Sequence, residues 1–306
     1  MRRLLASELL RFRSRRLVIV MLVGALLATA VGLVIAAIQS TAPTDAVVAA
    51  ARARAREEVA KCLVADFGDG NLGMPIEDFC RENFADPNQY MPSHLALVDL
   101  PQILEGVSSI TSILGLVIGA SFVAASWQTG TISTIFTWEP RRLRWFAART
   151  LILAGGVFVV AALIVLFLSV GVAFAAMLRG STVGVVGEWW TDVLTTSLRV
   201  STAAALSAVI GGAVAAIGRH TAAALGVVFV WTAVLEGLVR GLRPLWTPWL
   251  LGDNLVTFLS WRTMEFQVSA FESFTITPGR AIFVILGYTA VVVAFGCIFV
   301  GIRDVQ

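Results

Sequence analysis

The chain has 306 residues, 58% of them hydrophobic and only 14% charged, with a mean hydropathy of +0.84. These values exclude an ordinary water-soluble domain and leave lipid as the solvent. The formal charge of +3 and pI near 9.1 do not point to nucleic acid, because the basic residues cluster beside apolar runs, where they set orientation.

Residues 1–16 place Leu5, Leu9 and Phe12 on one face of a short helix and several arginines elsewhere. That pattern suits an interfacial helix along the inner membrane surface, with a plain basic flank as the alternative. Residues 17–38 form the first span. Its apolar run exceeds a signal core and lacks a convincing cleavage site, so it reads as a retained anchor.

Residues 39–105 are the one large hydrophilic segment, with 5 basic and 11 acidic residues, a net charge of −6. They are expected to form a small extracellular cap. Residues 44–64, rich in Ala, Arg and Glu, predict a helix, and a Gly-, Asp- and Pro-rich stretch follows at 66–92. Two cysteines in one small external loop, Cys62 and Cys80, favour a disulfide over two free thiols, with a stabilisation of about 3 kcal/mol.

The second span, 106–126, carries a ridge of Thr111, Gly115 and Gly119 suited to close helix contact, within the chain or at a subunit interface. Residues 127–149 then break at Gly130 and predict a short amphipathic helix with Ile132, Ile135 and Phe136 on one side. Pro140 stops it, and Arg141, Arg142, Arg144 and Arg149 lead back to the third span at 150–177. By shape this is a docking element.

Spans four and five, 193–217 and 221–239, contain Arg199 and Glu236, and charges inside spans are functional suspects by default. Glu236 has two possible partners, Arg240 one turn on and Arg199 across helices. Either pairing is structural, and that reading is preferred over a polar lining of a substrate route. Residues 240–280 are too broken by Pro244, Pro248, Gly252 and Asp253 to span; short helices dipping into the outer leaflet and a surface loop with interfacial aromatics both fit. The sixth span, 281–302, holds Cys297 as a small packing residue.

Six spans put both termini on one side. With that side cytoplasmic, it collects twelve arginines, six before the first span, four in 127–149, then Arg219 and Arg303, against five in the short outer segments, as the positive-inside rule requires. Trp127, Trp145, Trp189, Trp190, Trp246 and Trp249 fall near span ends, as headgroup anchors do. No enzyme site stands out: Lys61 has no glycine-rich turn before it, so no P-loop exists, and there is no His-Glu-x-x-His, Cys-x-x-Cys or Gly-x-Ser-x-Gly. No metal-ligand set is found.

The run Gln128-Thr129-Gly130-Thr131, the short apolar helix with Ile135 and Phe136, and Glu139-Pro140-Arg141-Arg142-Leu143-Arg144 resemble the permease subunits of type-2 ABC exporters, especially actinobacterial ones. About twenty residues carry the specific likeness, while the layout of spans is similar throughout. Many members carry an acidic residue before Gly-Thr, where this chain has Gln128 and Thr129. The resemblance implies an all-α polytopic protein in a bacterial plasma membrane that forms the translocation path of an exporter. It implies no cofactor on this chain, ATP and Mg in a separate ATP-binding subunit contacted through residues 127–149, and a second permease copy. A secondary transporter and a non-transporting membrane scaffold or sensor are the rival readings.

Overall fold

The computed structural model describes residues 2–64, 75–92, 94–183, 185–267 and 273–302. Arg303 and residues 66–74 of the Gly- and Asp-rich stretch lie outside the described residues. Among those described, six helices are long and apolar enough to cross a membrane. They are α2 (Arg16–Gln39), α5 (Leu100–Gln128), α7 (Arg142–Arg179), α8 (Gly187–Gly218), the fifth span Thr221–Leu242, and α12 (Pro278–Ile302). The fifth is a composite of α9 (Thr221–Phe229), a π-helical turn (Val230–Leu235) and α10 (Glu236–Leu242). The architecture is therefore all-α and multi-pass.

Helices outlast the apolar runs that predict them, because backbone hydrogen bonding continues after the hydrophobic residues stop. The 38 residues of α7 rise about 57 Å, against a hydrocarbon core of about 30 Å. Residues 142–149, read as part of a connecting segment, are consequently its first two turns.

The chain divides into two compact units. The first comprises Met1–Ala28, Pro101–Phe167 and Gly187–Gln306. At its centre, α8 buries small residues on several faces, among them Ala204, Ala208, Gly211, Gly212 and Ala216. The predicted ridge of α5 meets it within the chain. A Cβ at Gly115 or Gly119 would collide with the Ala204 or Ala208 carbonyl, so only glycine admits so close a backbone approach. Helix α12 and the short α11 (Leu251–Ser260) complete this side, both touching α8 and each other. A two-stranded antiparallel hairpin, β1 (Met264–Gln267) and β2 (Ser273–Ile276), pairs Met264 with Ile276 and Phe266 with Phe274.

Helix α1 (Arg2–Arg13) also belongs to this unit, and its docked face differs from the predicted one. Glu8 and Phe12 are buried, whereas Leu9 is 50% exposed. The reason is Phe12, whose ring lies against Gly156 of α7 and edge-on to Phe122 of α5, with centroids 5.4 Å apart. One turn earlier, the same stripe carries Glu8 inward.

The second unit comprises Thr29–Leu100 and Leu168–Val186. It contains α3 (Asp45–Val64), the helix predicted at 44–64, and α4 (Ile76–Phe84). Cys62 and Cys80 form a disulfide between them, with Cα atoms 5.8 Å apart. Both cysteines are buried, together with Ala51 and Ala55 of α3. Lys61 donates to Glu57 and Glu58 at 2.9 Å each, which holds the Glu57 carboxyl below its usual range and raises the Lys61 ammonium above its own. Residues after α4 return to the end of α7: Leu97 N donates to Ser181 O at 2.8 Å and Ser181 N to Leu95 O at 3.0 Å. Ser40 Oγ accepts from Leu95 N and donates to Arg179 O.

Candidate functional site

The turn after α5 is built from backbone geometry upward. Gly130 has φ of 67°, the left-handed region that costs a side-chain-bearing residue energy and costs glycine little. Thr131 can therefore start a new helix, α6 (Thr131–Trp138), in a new direction. Glu139 is extended, as the residue before a proline must be, and ends it. Hydroxyls of Thr129, Ser133 and Thr137 bond back to carbonyls of their own turns, leaving the polar face without outward commitments.

One face of α6 is anchored. Ile132 is buried, Ile135 and Phe136 pack on the same core, and the Phe136 ring meets Trp145 edge-on at 5.3 Å. Arg142 lies over Phe136 at 5.5 Å and donates to Gly301 O. The other face is open. Gln128, Thr131, Pro140, Arg141 and Arg144 are exposed, Glu139 is half-buried, and Trp138 is 87% exposed, more than any other tryptophan. Of the residues that carry the resemblance, Ile135, Phe136 and Arg142 hold α6 down, Glu139 is half-buried, and Gln128, Gly130, Thr131, Pro140, Arg141 and Arg144 are exposed.

Beneath this surface lies a charged centre the sequence reading missed. Glu8 is fully buried and faces Arg149, itself 3% exposed, at 3.3 Å. Arg11 holds the other Glu8 oxygen at 2.8 Å. Arg149 also donates to the Phe122 carbonyl and stacks between Phe122 and Trp145, while Arg15 donates to Ser121 O at 2.8 Å. A carboxylate removed from water needs such partners, and it ties α1 to α5 and α7. A signal was present: Glu8 is the sole acidic residue in the first 44, among six arginines. Trp145, read as a headgroup anchor, is instead fully buried here, and Trp189 is buried too. Trp190, Trp246 and Trp249 are exposed, and Trp127 lies under Arg219 at 4.3 Å.

Arg199 and Glu236 do not form a pair; that expectation is corrected. Each instead binds one end of α11. The Glu236 carboxylate accepts from Leu251 N at 3.0 Å and Gly252 N at 3.1 Å, the first amides of that helix. At its other end, Arg199 donates to Leu259 O at 2.8 Å and lies over Trp261 at 5.5 Å. An anion at the N-terminus and a cation at the C-terminus oppose the helix dipole and satisfy groups the helix itself cannot. Arg240 braces the first end, 3.5 Å from Glu236 and 3.0 Å from Asp253, so the Arg240 pairing is the one realised. A Cβ at Gly252 would come within 2.8 Å of Glu236 Oε2. These contacts are why residues 240–280 contain a helix held against α8 and α12. His220 is likewise a helix cap, its Nδ1 accepting from Ala222 N at the start of α9.

No group of three or more metal-ligating side chains occurs among the described residues. Compared with known proteins, the chain matches no family model, no curated protein and no solved structure.

Proposed function

We propose that this chain is the membrane-spanning permease subunit of an ATP-driven exporter of the type-2 ABC kind, coupled to a separate ATP-binding subunit. The observation that carries the reading is α6: a short helix whose apolar face is fastened to the core while Trp138, Arg141 and Arg144 stand free. Exposed Trp and Arg on a rigid support are the residues most often dominant in protein–protein contact. The likeness of Gly130-Thr131 and Pro140-Arg141 to exporter permeases gives that contact its partner.

In this scheme ATP and Mg stay on the partner, and this chain makes and breaks no covalent bonds. Closure of two ATPases pushes on α6; Trp145 and the Glu8–Arg149 centre pass the displacement into α5, α7 and α1 as one body. A second permease copy completes the path, whose affinity for substrate must differ between inward- and outward-facing states. Both termini and α6 face the cytoplasm of a bacterial plasma membrane. Leu9 and Leu10 of α1 rest at the headgroup layer, and residues 39–105 form the external cap, where a disulfide persists.

A secondary transporter gains one observation, the π-helical interruption beside Glu236, since such bulges mark functional sites. Both Glu236 oxygens are nevertheless engaged by Leu251, Gly252 and Arg240, which leaves no carboxylate free for ion coupling there.

The test is affinity purification of the tagged full chain from its native membranes, followed by ATPase assay of the complex in lipid. A P-loop ATPase should co-purify with wild type, and the variant W138A/R141A/R144A should lose it together with its stimulated activity. Retention of both in the variant, or no ATPase with wild type, overturns the proposal.

A further inference from the structure

Unit 2 contains an open cavity of about 420 Å³. Arg52, Arg56 and Arg81 line it, with apolar walls from Ala55, Val59 and Pro87, and among the described residues no carboxylate contributes. Arg52 and Arg56 stand one turn apart on α3 and so share a helix face. Arg81 comes from α4 and is the neighbour of Cys80, so the disulfide to Cys62 sets its position.

What distinguishes these three cations is that they line one cavity. The segment is acidic overall, with 11 acidic residues against 5 basic, and on the same helix Lys61 is held by two glutamates. Among the described residues, Arg52, Arg56 and Arg81 form no ion pair with a carboxylate. Like charges around one cavity repel, and an anion bound among them relieves that repulsion. Guanidinium forks match the oxygens of a phosphate group and bind it through paired, charge-assisted hydrogen bonds. The apolar walls give any organic portion of the ligand a place to lie.

We infer that the Arg52–Arg56–Arg81 cavity is a binding site for a phosphate group, either free or carried by a lipid headgroup. The site does not depend on the exporter reading, because it involves neither α6 nor an ATPase.

Binding is measured on the full chain in a phosphate-free maltoside detergent, with inorganic phosphate in one arm and short-chain phosphatidylglycerol in the other. The variant R52Q/R56Q/R81Q alters exposed side chains, and R54Q, which lies outside the cavity lining, is the control; circular dichroism and an intact disulfide verify folding of each. Affinity for at least one probe should fall about tenfold or more in the triple variant and stay unchanged in the control. Loss confined to the lipid arm assigns the site to headgroups, and loss in both arms assigns it to free phosphate as well. Equal binding by wild type and triple variant, or binding of neither probe by wild type, overturns the inference. Loss of ATPase partnership with phosphate binding retained would instead count against the exporter reading alone.

Discussion

Glu8 concentrates more of the first unit's energetics than its place in an arginine-rich tail leads one to expect. Its carboxylate is fully buried between Arg11 and Arg149, and removing one member leaves the others uncompensated. Glu8→Ala should therefore destabilise the protein by about 3–5 kcal/mol, read as a lowered midpoint of thermal unfolding in detergent. The double change Glu8→Leu with Arg149→Met should recover much of that loss, since a well-packed apolar pair avoids the desolvation cost of both ions. No recovery would mean that Arg149 is held mainly by the Phe122 carbonyl and the flanking rings rather than by Glu8. The position was hard to read because sequence shows a lone carboxylate but not what it faces; Arg149 lies 141 residues away.

At the scale of the element, α6 and α11 contrast in how legible they were. Gly130, the apolar triplet Ile132, Ile135 and Phe136, and Pro140 specify the start, buried face and stop of α6 within about ten residues. Helix α11 depends on groups from two other helices, Glu236 on α10 and Arg199 on α8, and its sequence announces neither. The clamp makes a quantitative prediction. Glu236→Ala removes an acceptor shared by two amides and should cost about 2–4 kcal/mol, and Arg199→Ala about 1–2 kcal/mol. Because the sites lie at opposite ends of a ten-residue helix, about 15 Å apart, the double variant should be additive within about 0.5 kcal/mol. A large coupling energy in that thermal-unfolding cycle would restore the direct pair.

On the scale of the whole molecule, the two units rest on different physics. The first is held by apolar helix contacts around α8, close enough at Gly115 and Gly119 to exclude any side chain. In the second, the Cys62–Cys80 disulfide joins α3 to α4. Cys62→Ser with Cys80→Ser should cost unit 2 about 3 kcal/mol and speed amide hydrogen exchange across α3 and α4, while leaving exchange in α5, α8 and α12 unchanged. Equal acceleration in both units would show that they unfold as one.

Sequence alone determined the six helices long and apolar enough to span a membrane, the helix at 44–64, the Cys62–Cys80 bond and the amphipathic turn after the second apolar run. Each follows from local chemistry: a helix in lipid satisfies its own backbone, so an apolar stretch of sufficient length suffices. Only the tertiary structure decided which charge meets which group. It turned Glu8 rather than Leu9 inward, buried Trp145, and set Arg199 and Glu236 on opposite ends of α11 instead of on each other. Such choices depend on the register and spacing of helices distant in sequence, and a buried charge takes whichever partner that geometry delivers within about 3 Å.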